Sequence, residues 1–308
     1  MRTARRVALG GLLGVAAIVL ASEVGFGTRD SGLGFGEMAS DSTSPVQSPE
    51  SRVPSILDLF DLRDGSQLRL PPTLREISDL AVTPDGRVLA IQDEAGVVSQ
   101  LDVRRGTIVK SFALGPPAVL DDFEGLTVAG DRIYLLNSFG ILYETREGAS
   151  GGSVAYRRYD TGLRRQCEME GLTYDATTRS LLIACKVPHA KTLRGTVTLY
   201  RWSLDTKALA TPSRVAASIS DATRGLKGKA YHPTAITRVP ATANFVLLAR
   251  QGIVTEITPA GAVLGTRALE QRLHPQPEGI AFLGDTLLLV SDEGGKGFGS
   301  LTLYSRAK

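Results

Sequence analysis

The stretch FEGLTVAGDRIYLLN (123–137) opens with an acidic residue and a glycine, Glu124 and Gly125, and continues as two short apolar segments around a turn. The same opening returns in MEGLTYDATTRSLLIACK (169–186) and in PEGIAFLGDTLLLVSDE (277–293). Each copy reads as two β-strands, because apolar residues dominate short runs that are separated by turn-forming residues. A unit of local structure is therefore repeated along the chain.

Two further segments, ISDLAVTPDGRVLAIQDE (77–94) and PTAITRVPATANFVLLARQ (233–251), share the apolar pattern but not the glutamate. The aligned residues lie 46, 46, 64 and 44 residues apart and are Ser78, Glu124, Glu170, Thr234 and Glu278. A period in the forties, with several short strands in each unit, is typical of propeller blades. We therefore predict an all-β chain that folds as a five-bladed β-propeller.

The last unit offers only three strands before the sequence ends. The segment SILDLFDLR (55–63) precedes the first unit, alternates apolar and polar residues, and has no blade of its own. We expect it to form the outer strand of the last blade, since this closes the ring and removes two open sheet edges. The propeller then spans residues 52–308. The alternative is a six-bladed ring in which residues 187–232 form a degenerate blade.

The N-terminus has the pattern of an export signal. The basic start MRTARR is followed by the uncharged run VALGGLLGVAAIVLA (7–21), which at about 15 residues is shorter than the roughly 20 of a membrane-spanning helix. We predict that residues 1–27 are a signal peptide or an uncleaved N-terminal membrane anchor, and that 28–51 are a disordered linker. The expected location is periplasmic or extracytoplasmic, either free or tethered to the inner membrane.

Charge and composition narrow the classes of partner. The net charge is +3, and three of the positive charges, Arg2, Arg5 and Arg6, belong to the N-terminal signal. No clustered basic run remains, which argues against binding of nucleic acid. Hydrophobic and charged contents of 43% and 22% are those of an ordinary globular domain. We expect a monomer that contacts a membrane only through its N-terminal segment.

The sequence has two cysteines, Cys167 and Cys185, which flank the hairpin of the third unit. The ends of a hairpin lie close together, and an exported protein meets an oxidising compartment where a disulfide persists. We predict a disulfide between them, with two free buried thiols as the alternative.

The repeat also predicts a site. In a propeller the first residue of each inner strand and the end of each second strand meet at one mouth of the central channel. Carboxylate and amide oxygens gathered there suit Ca²⁺, which takes six to eight oxygen ligands and tolerates irregular geometry. The predicted metal ligands are Glu124, Glu170, Glu278, Asn137, Asp93 and Asp292.

Two other interpretations of the glutamates stay open. Lys186 and Arg250 occupy equivalent second-strand positions, and they either pair with the glutamates or, together with His274, receive a small anionic ligand or a protein segment. Direct acid–base catalysis by the glutamates is the remaining interpretation.

Four short sequence motifs resemble those of a known family. They are Asp122–Leu126, Cys167–Lys186, Leu199–Asp205 and Pro275–Ile280. In wording and order they resemble the SdiA-regulated (YjiK-like) bacterial propeller family. The resemblance implies an envelope-associated propeller and supplies no established catalytic residues. We expect a binding module with a calcium site, and the alternatives are a metal-dependent phosphoesterase or lactonase-like hydrolase and a structural scaffold.

Overall fold

A computed structural model describes residues 54–307 except 225, 227–229 and 241. Its strands form five antiparallel sheets arranged as blades around a central channel, which confirms the predicted five-bladed all-β propeller. In every blade the first strand of the repeat is innermost, and the following strands lie progressively farther from the channel.

The strand bounds follow the repeat. Blade one contains Ile77–Val82, Val88–Gln92, Val97–Asp102 and Thr107–Leu114. Blade two contains Phe123–Ala129, Arg132–Asn137, Ile141–Thr145 and Tyr156–Asp160. Blade three contains Cys167–Asp175, Ser180–Pro188, Thr196–Ser203 and Ala208–Ser218.

The remaining two blades complete the ring. Blade four contains Pro233–Arg238, Phe245–Ala249, Ile253–Ile257 and Val263–Ala268. Blade five contains Pro277–Leu283, Leu287–Asp292, Ser300–Ser305 and Ser66–Arg69. A two-residue strand, Ser153–Val154, adds to the outer edge of blade one in parallel. The short helical turns are Ile56–Leu59, Pro72–Leu74, Leu163–Arg165, Lys191–Leu193 and Ile219–Ala222.

The hydrophobic core lies between blades rather than at one centre. Middle strands such as Phe245–Ala249 are buried along their whole length, because neighbouring blades cover both of their faces. Between blades two and three, Tyr134 and Leu136 pack with Leu172 and the fully buried Trp202. Each blade is therefore stabilised by its neighbours, and closure of the ring matters to all of them.

The closing strand differs from the predicted one. Ser66–Arg69, not 55–63, pairs with Ser300–Ser305 as the outer strand of blade five. Within 55–63, Ile56–Leu59 forms a 3₁₀ turn and only Phe60 makes a bridge, to Arg306.

The N-terminal turn forms for a local and a tertiary reason. The Ser55 hydroxyl accepts a hydrogen bond from the backbone N–H of Leu57 at 3.2 Å, which caps the turn. The buried carboxylate of Glu256 accepts hydrogen bonds from the Ser55 hydroxyl and the Ile56 N–H, each at 2.7 Å. Leu57 and Phe60, three residues apart, then both face the core between blades four and five. The alternation of apolar and polar residues in 55–63 therefore belongs to a turn that is held against the core, not to a strand.

The alternative of a sixth blade is wrong. Residues 187–232 hold the end of one blade-three strand, the next strand, the outer strand Ala208–Ser218 and the helical turn Ile219–Ala222. The outer strand has 11 residues, three more than its counterpart in blade one, and the connections within this unit account for the rest of the added length.

Blade three contains a disulfide. Cys167 and Cys185 are joined with their Cα atoms 5.6 Å apart, and both side chains are buried. The bond links the first and second strands of the blade next to the channel mouth.

The predictions for residues 1–27 and 28–51 lie outside the described residues. Within the part of the chain that is described, none of the helical segments has the length and apolar character needed to cross a membrane.

Candidate functional site

The five inner strands begin at one mouth of the channel, here called the acidic mouth. In each strand the regular pairing with the second strand is interrupted at the repeated position. The residues left out of register there are Ser78, Glu124, Glu170 together with Gly171, Thr234 and Glu278. An irregularity of this kind is a β-bulge, which re-aims a side chain. In a regular strand consecutive side chains point in opposite directions. The bulge breaks this alternation, so that the bulged residue and the residue after it both lie near the channel axis.

Glycine follows the glutamate because the inner strands come very close together. A Cβ atom on Gly125 would lie 2.8 Å from the Cβ of Leu172 in the next blade. A Cβ atom on Gly171 would lie 2.9 Å from the Cα of Ala235, and Gly171 has a φ of +83°, which disfavours other residues. The glycines thus make a constriction directly below the glutamates.

The acidic mouth holds a cavity of about 110 Å³. Six carboxyl side chains and two cationic ones line it, and the carboxyl groups are those of Glu76, Asp93, Glu124, Glu170, Glu278 and Glu293. The cations are Lys186 and Arg250, and Ser78 and Gln276 complete the polar lining. The carboxyl groups therefore outnumber the cations by three to one.

Lys186 is committed to one glutamate. Its ammonium contacts the Glu170 carboxylate directly and lies 3.9 Å from the Glu168 carboxylate. Burial acts to lower the pKa of Lys186, but the surrounding glutamates outweigh it and raise the pKa. Lys186 is therefore charged at neutral pH, and the ion pair expected from the sequence is present at Glu170.

Burial raises the pKa of the glutamates at the mouth. The pKa of Glu124 is about 8, because burial disfavours the carboxylate more strongly than nearby Lys186 favours it. The pKa of Glu170 lies well above its usual range, through burial and then the charges of Glu124 and Glu278. Burial also raises the pKa of Glu278. Burial thus disfavours the carboxylate form at all three positions, while at Glu170 the ammonium of Lys186 favours it.

Glu76 and Glu293, two other acidic residues of the mouth, are joined by a hydrogen bond through one proton. Burial, and then a hydrogen bond with Glu76, raise the pKa of Glu293 to about 8. The same hydrogen bond lowers the pKa of Glu76. Glu293 is therefore the donor and Glu76 the acceptor at neutral pH.

Three carboxylate oxygens in the lining are buried and lack a hydrogen-bond partner among the described residues. One of them, Oε2 of Glu170, contacts the Lys186 ammonium, which leaves two without a cationic partner. They are Oε2 of Glu278 and Oδ1 of Asp93. Buried polar atoms are almost always satisfied, so orphaned oxygens in a polar cavity are typical of a place where something else binds.

Three residues predicted for this site lie elsewhere. Asn137 is buried in a turn, where its amide donates to Asp121 at 2.8 Å and accepts from two backbone N–H groups. His274 and Asp292 are buried inside blade five. The Nδ1 atom of His274 lies 2.7 Å from the Asp292 carboxylate, and its Nε2 atom lies 2.6 Å from the Tyr304 hydroxyl. None of the three lines the cavity, because each side chain is engaged in its own blade.

Two acidic residues near the axis, Glu76 and Asp79, are not among the residues predicted for the site. Glu76 lies two residues before the repeated position. The residue two before the repeated position is polar in all five units, and this pattern could have indicated Glu76 as a residue of the mouth. Asp79 stands where three other blades have glycine. It is fully buried, accepts hydrogen bonds from the N–H groups of Leu80 and Leu126, and has a pKa well above its usual range because of burial.

The carboxyl groups at the mouth are not drawn together into a preformed metal centre. Over the described ranges, no three His, Cys, Asp or Glu side chains have the arrangement of metal ligands. The predicted residues that do share the cavity are Asp93, Glu124, Glu170, Glu278, Lys186 and Arg250.

Comparisons with known proteins bear on the fold. No protein-family model and no curated protein matches the sequence, so the resemblance to the SdiA-regulated family stays a prediction. Among solved structures, glutaminyl cyclase from Myxococcus xanthus is similar with a TM-score of 0.55 and 16% identity, over 79% of this chain and 96% of that one. A streptogramin B lyase gives a TM-score of 0.41 and 13% identity, over 79% and 98%. The first similarity supports the propeller fold.

Proposed function

We propose that this protein is an exported β-propeller binding module whose acidic mouth holds a divalent cation, with Ca²⁺ as the expected ion. The observation that carries the proposal is the buried Oε2 of Glu278, which has no hydrogen-bond partner among the described residues and lies in a cavity that six described carboxyl groups and two cations line. A cation would satisfy that oxygen and relieve the repulsion among the carboxylates.

The donor set favours Ca²⁺ over softer metals. The polar side chains that line the cavity, within the described part of the chain, offer oxygen ligands and no sulfur or imidazole. Because the carboxyl groups are not preassembled, binding requires side-chain rotations and loss of protons from groups such as Glu124. Ca²⁺ tolerates such irregular coordination better than Mg²⁺ does. Lys186 and Arg250 would then allow a small anionic ligand, or a carboxylate of a protein segment, to approach the bound ion.

Export is part of the same proposal. The Cys167–Cys185 disulfide is of the kind that persists in oxidising compartments, and the N-terminal sequence has the pattern of an export signal. We therefore favour a periplasmic or other extracytoplasmic monomer, free or tethered to the inner membrane. The resemblance to the SdiA-regulated family is consistent with this location.

Calcium should raise the thermal stability of chelator-treated protein. A ligand that binds only the folded state adds about 2.7 kcal/mol to the free energy of unfolding at a hundredfold excess over its Kd. Differential scanning calorimetry with and without CaCl₂ measures the increment. Glu278→Gln should remove most of it, because this change neutralises the carboxyl group that has the orphaned oxygen.

Glu270→Gln is the matched control, since Glu270 pairs with the exposed Arg272 and does not line the cavity. Its calcium increment should equal that of the wild type. If calcium does not change the melting temperature of the wild type, the proposed metal site is wrong, and the residues of the mouth serve in ion pairs such as Lys186–Glu170.

An acid–base enzyme is the second candidate, and the pKa of about 8 for Glu124 favours it. A group that titrates near neutral pH is suited to proton transfer. Phosphoesters and lactones are the substrates to test, with Ca²⁺ present. Turnover that Glu124→Gln abolishes, at unchanged melting temperature, would support the enzyme, and no turnover of either class would leave the binding module.

A further inference from the structure

The channel has a second cavity at its other end, here called the far cavity. Its volume is about 180 Å³, and it is lined by the ends of the five inner strands, such as Leu126–Val128 and Ile236–Arg238. No residue lines both this cavity and the acidic mouth. The glycine constriction lies between the two, so they are separate sites.

The far cavity differs from the acidic mouth in charge. Among the described residues that line it, none is a carboxylate, and Arg238 is the one charged side chain. The acidic residues near the hairpin turns at this end already have cationic partners. These pairs are Asp85–Arg87 at 2.7 Å, Asp131–Arg132 at 3.6 Å, Asp175–Arg201 at 2.7 Å and Asp285–Arg306 at 3.5 Å.

Arg238 has no such partner. Over the described residues it forms no ion pair, and its Nε atom is buried without a hydrogen-bond acceptor. An unsatisfied buried N–H on a charged group is costly, and guanidinium groups recognise oxyanions through paired N–H donors. Arg238 lines the cavity, and its guanidinium has no described acceptor at Nε.

Hydroxyl groups accompany the guanidinium because of the repeat. Thr127, Thr173 and Thr237 occupy the same position in blades two, three and four, two residues beyond the constriction, and all three line the far cavity. No hydrogen bond joins their hydroxyl groups to the other described side chains or backbone. Each hydroxyl can donate to an anion bound between them.

We propose that the far cavity binds a small oxyanion, such as phosphate or a carboxylate, between Arg238 and these threonines. Its volume is below the roughly 300–1,000 Å³ of pockets for drug-sized ligands, which favours a small ion or the anionic end of a larger molecule. The buried Asp79 accepts hydrogen bonds from two backbone N–H groups, and burial raises its pKa well above the usual range, which disfavours a negative charge beside the cavity. This site does not depend on a cation at the acidic mouth.

Titration with inorganic phosphate tests the proposal. The chelator-treated protein is titrated at constant ionic strength against chloride, and binding is followed by calorimetry and by melting temperature. We expect saturable binding to the wild type and a Kd raised roughly tenfold or more in Arg238→Gln, since a charge-assisted hydrogen bond is lost. Thr173→Val should raise the Kd about two- to tenfold. Sulfate and acetate in parallel arms show whether a tetrahedral or a planar oxyanion is preferred.

Two control variants locate the effect. Arg272→Gln, an exposed arginine outside the cavity, should bind phosphate as the wild type does. Arg250→Gln separates the two ends of the channel, because Arg250 lines only the acidic mouth. In chloride, Arg238→Gln should melt as the wild type does, because no described partner is lost. The proposal is overturned by any of three results: no saturable phosphate binding to the wild type, unchanged binding in Arg238→Gln, or binding that Arg250→Gln removes instead.

Discussion

A variant that lacks residues 54–69 should aggregate and lose the cooperative melting of the wild type. The deletion removes the strand Ser66–Arg69 and exposes the edge of Ser300–Ser305, which then offers unpaired backbone groups to other chains. It also removes three side chains that fill the core between blades four and five, Leu57, Phe60 and Leu62. Each contributes about 1.5–3 kcal/mol, against a total stability of about 5–15 kcal/mol for a domain.

Smaller changes separate the anchor from the strand. A variant that lacks only 54–64 keeps the closing strand and should stay monomeric with a lower melting temperature. Phe60→Ala should cost about 3–5 kcal/mol, since Phe60 is buried against Phe282. Phe139→Ala, at a side chain that is 44% exposed, should cost much less. Size-exclusion chromatography and calorimetry measure these effects. A monomeric 54–69 deletion with wild-type melting would show that the N-terminal segment does not close the ring.

Raising the pH from 5 to 9 should destabilise the chelator-treated protein, and calcium should restore its stability only at high pH. The folded-state pKa of Glu124 is about 8, above its ordinary value, so the folded protein binds this proton more tightly than the unfolded chain does. Its stabilising contribution is complete below the unfolded pKa and is lost as the pH rises through about 8. Between the two pKa values the slope reaches about 1.4 kcal/mol per pH unit for this proton.

Calcium acts in the opposite sense, because it replaces protons on the carboxylates and therefore binds more tightly as the pH rises. Denaturant unfolding at several pH values, with and without calcium, measures both trends. Glu124→Gln should flatten the calcium-free profile, whereas Glu270→Gln should leave it unchanged. Equal slopes in the wild type and Glu124→Gln would contradict the raised pKa of Glu124, and a calcium increment independent of pH would contradict binding through these carboxyl groups.

Much of the fold and part of the acidic mouth were predictable from sequence. Equivalent positions in a repeat become equivalent positions around a ring, so the spacing of Ser78, Glu124, Glu170, Thr234 and Glu278 was enough to give five blades and to gather three glutamates at one end. The pairing of Cys167 with Cys185 followed from their places at the ends of one hairpin. Such inferences depend only on order along the chain.

Tertiary contacts decided the rest. The alternation in 55–63 suits either a strand or a turn, and the buried Glu256 of blade four selects the turn through two hydrogen bonds. His274 and Asp292 are close in sequence to residues of the acidic mouth, but their side chains contact each other inside blade five.

The far cavity was not predictable from the sequence either, since Arg238 is distinguished only by its lack of a partner among the described residues. Repetition along a chain sets which blade and which end of the channel a residue occupies. The direction of its side chain and the group that it contacts depend on a bulge or on a side chain distant in sequence. The sequence alone therefore determined the ring and the identity of the mouth glutamates, and only the packed structure decided which charges remain unpaired.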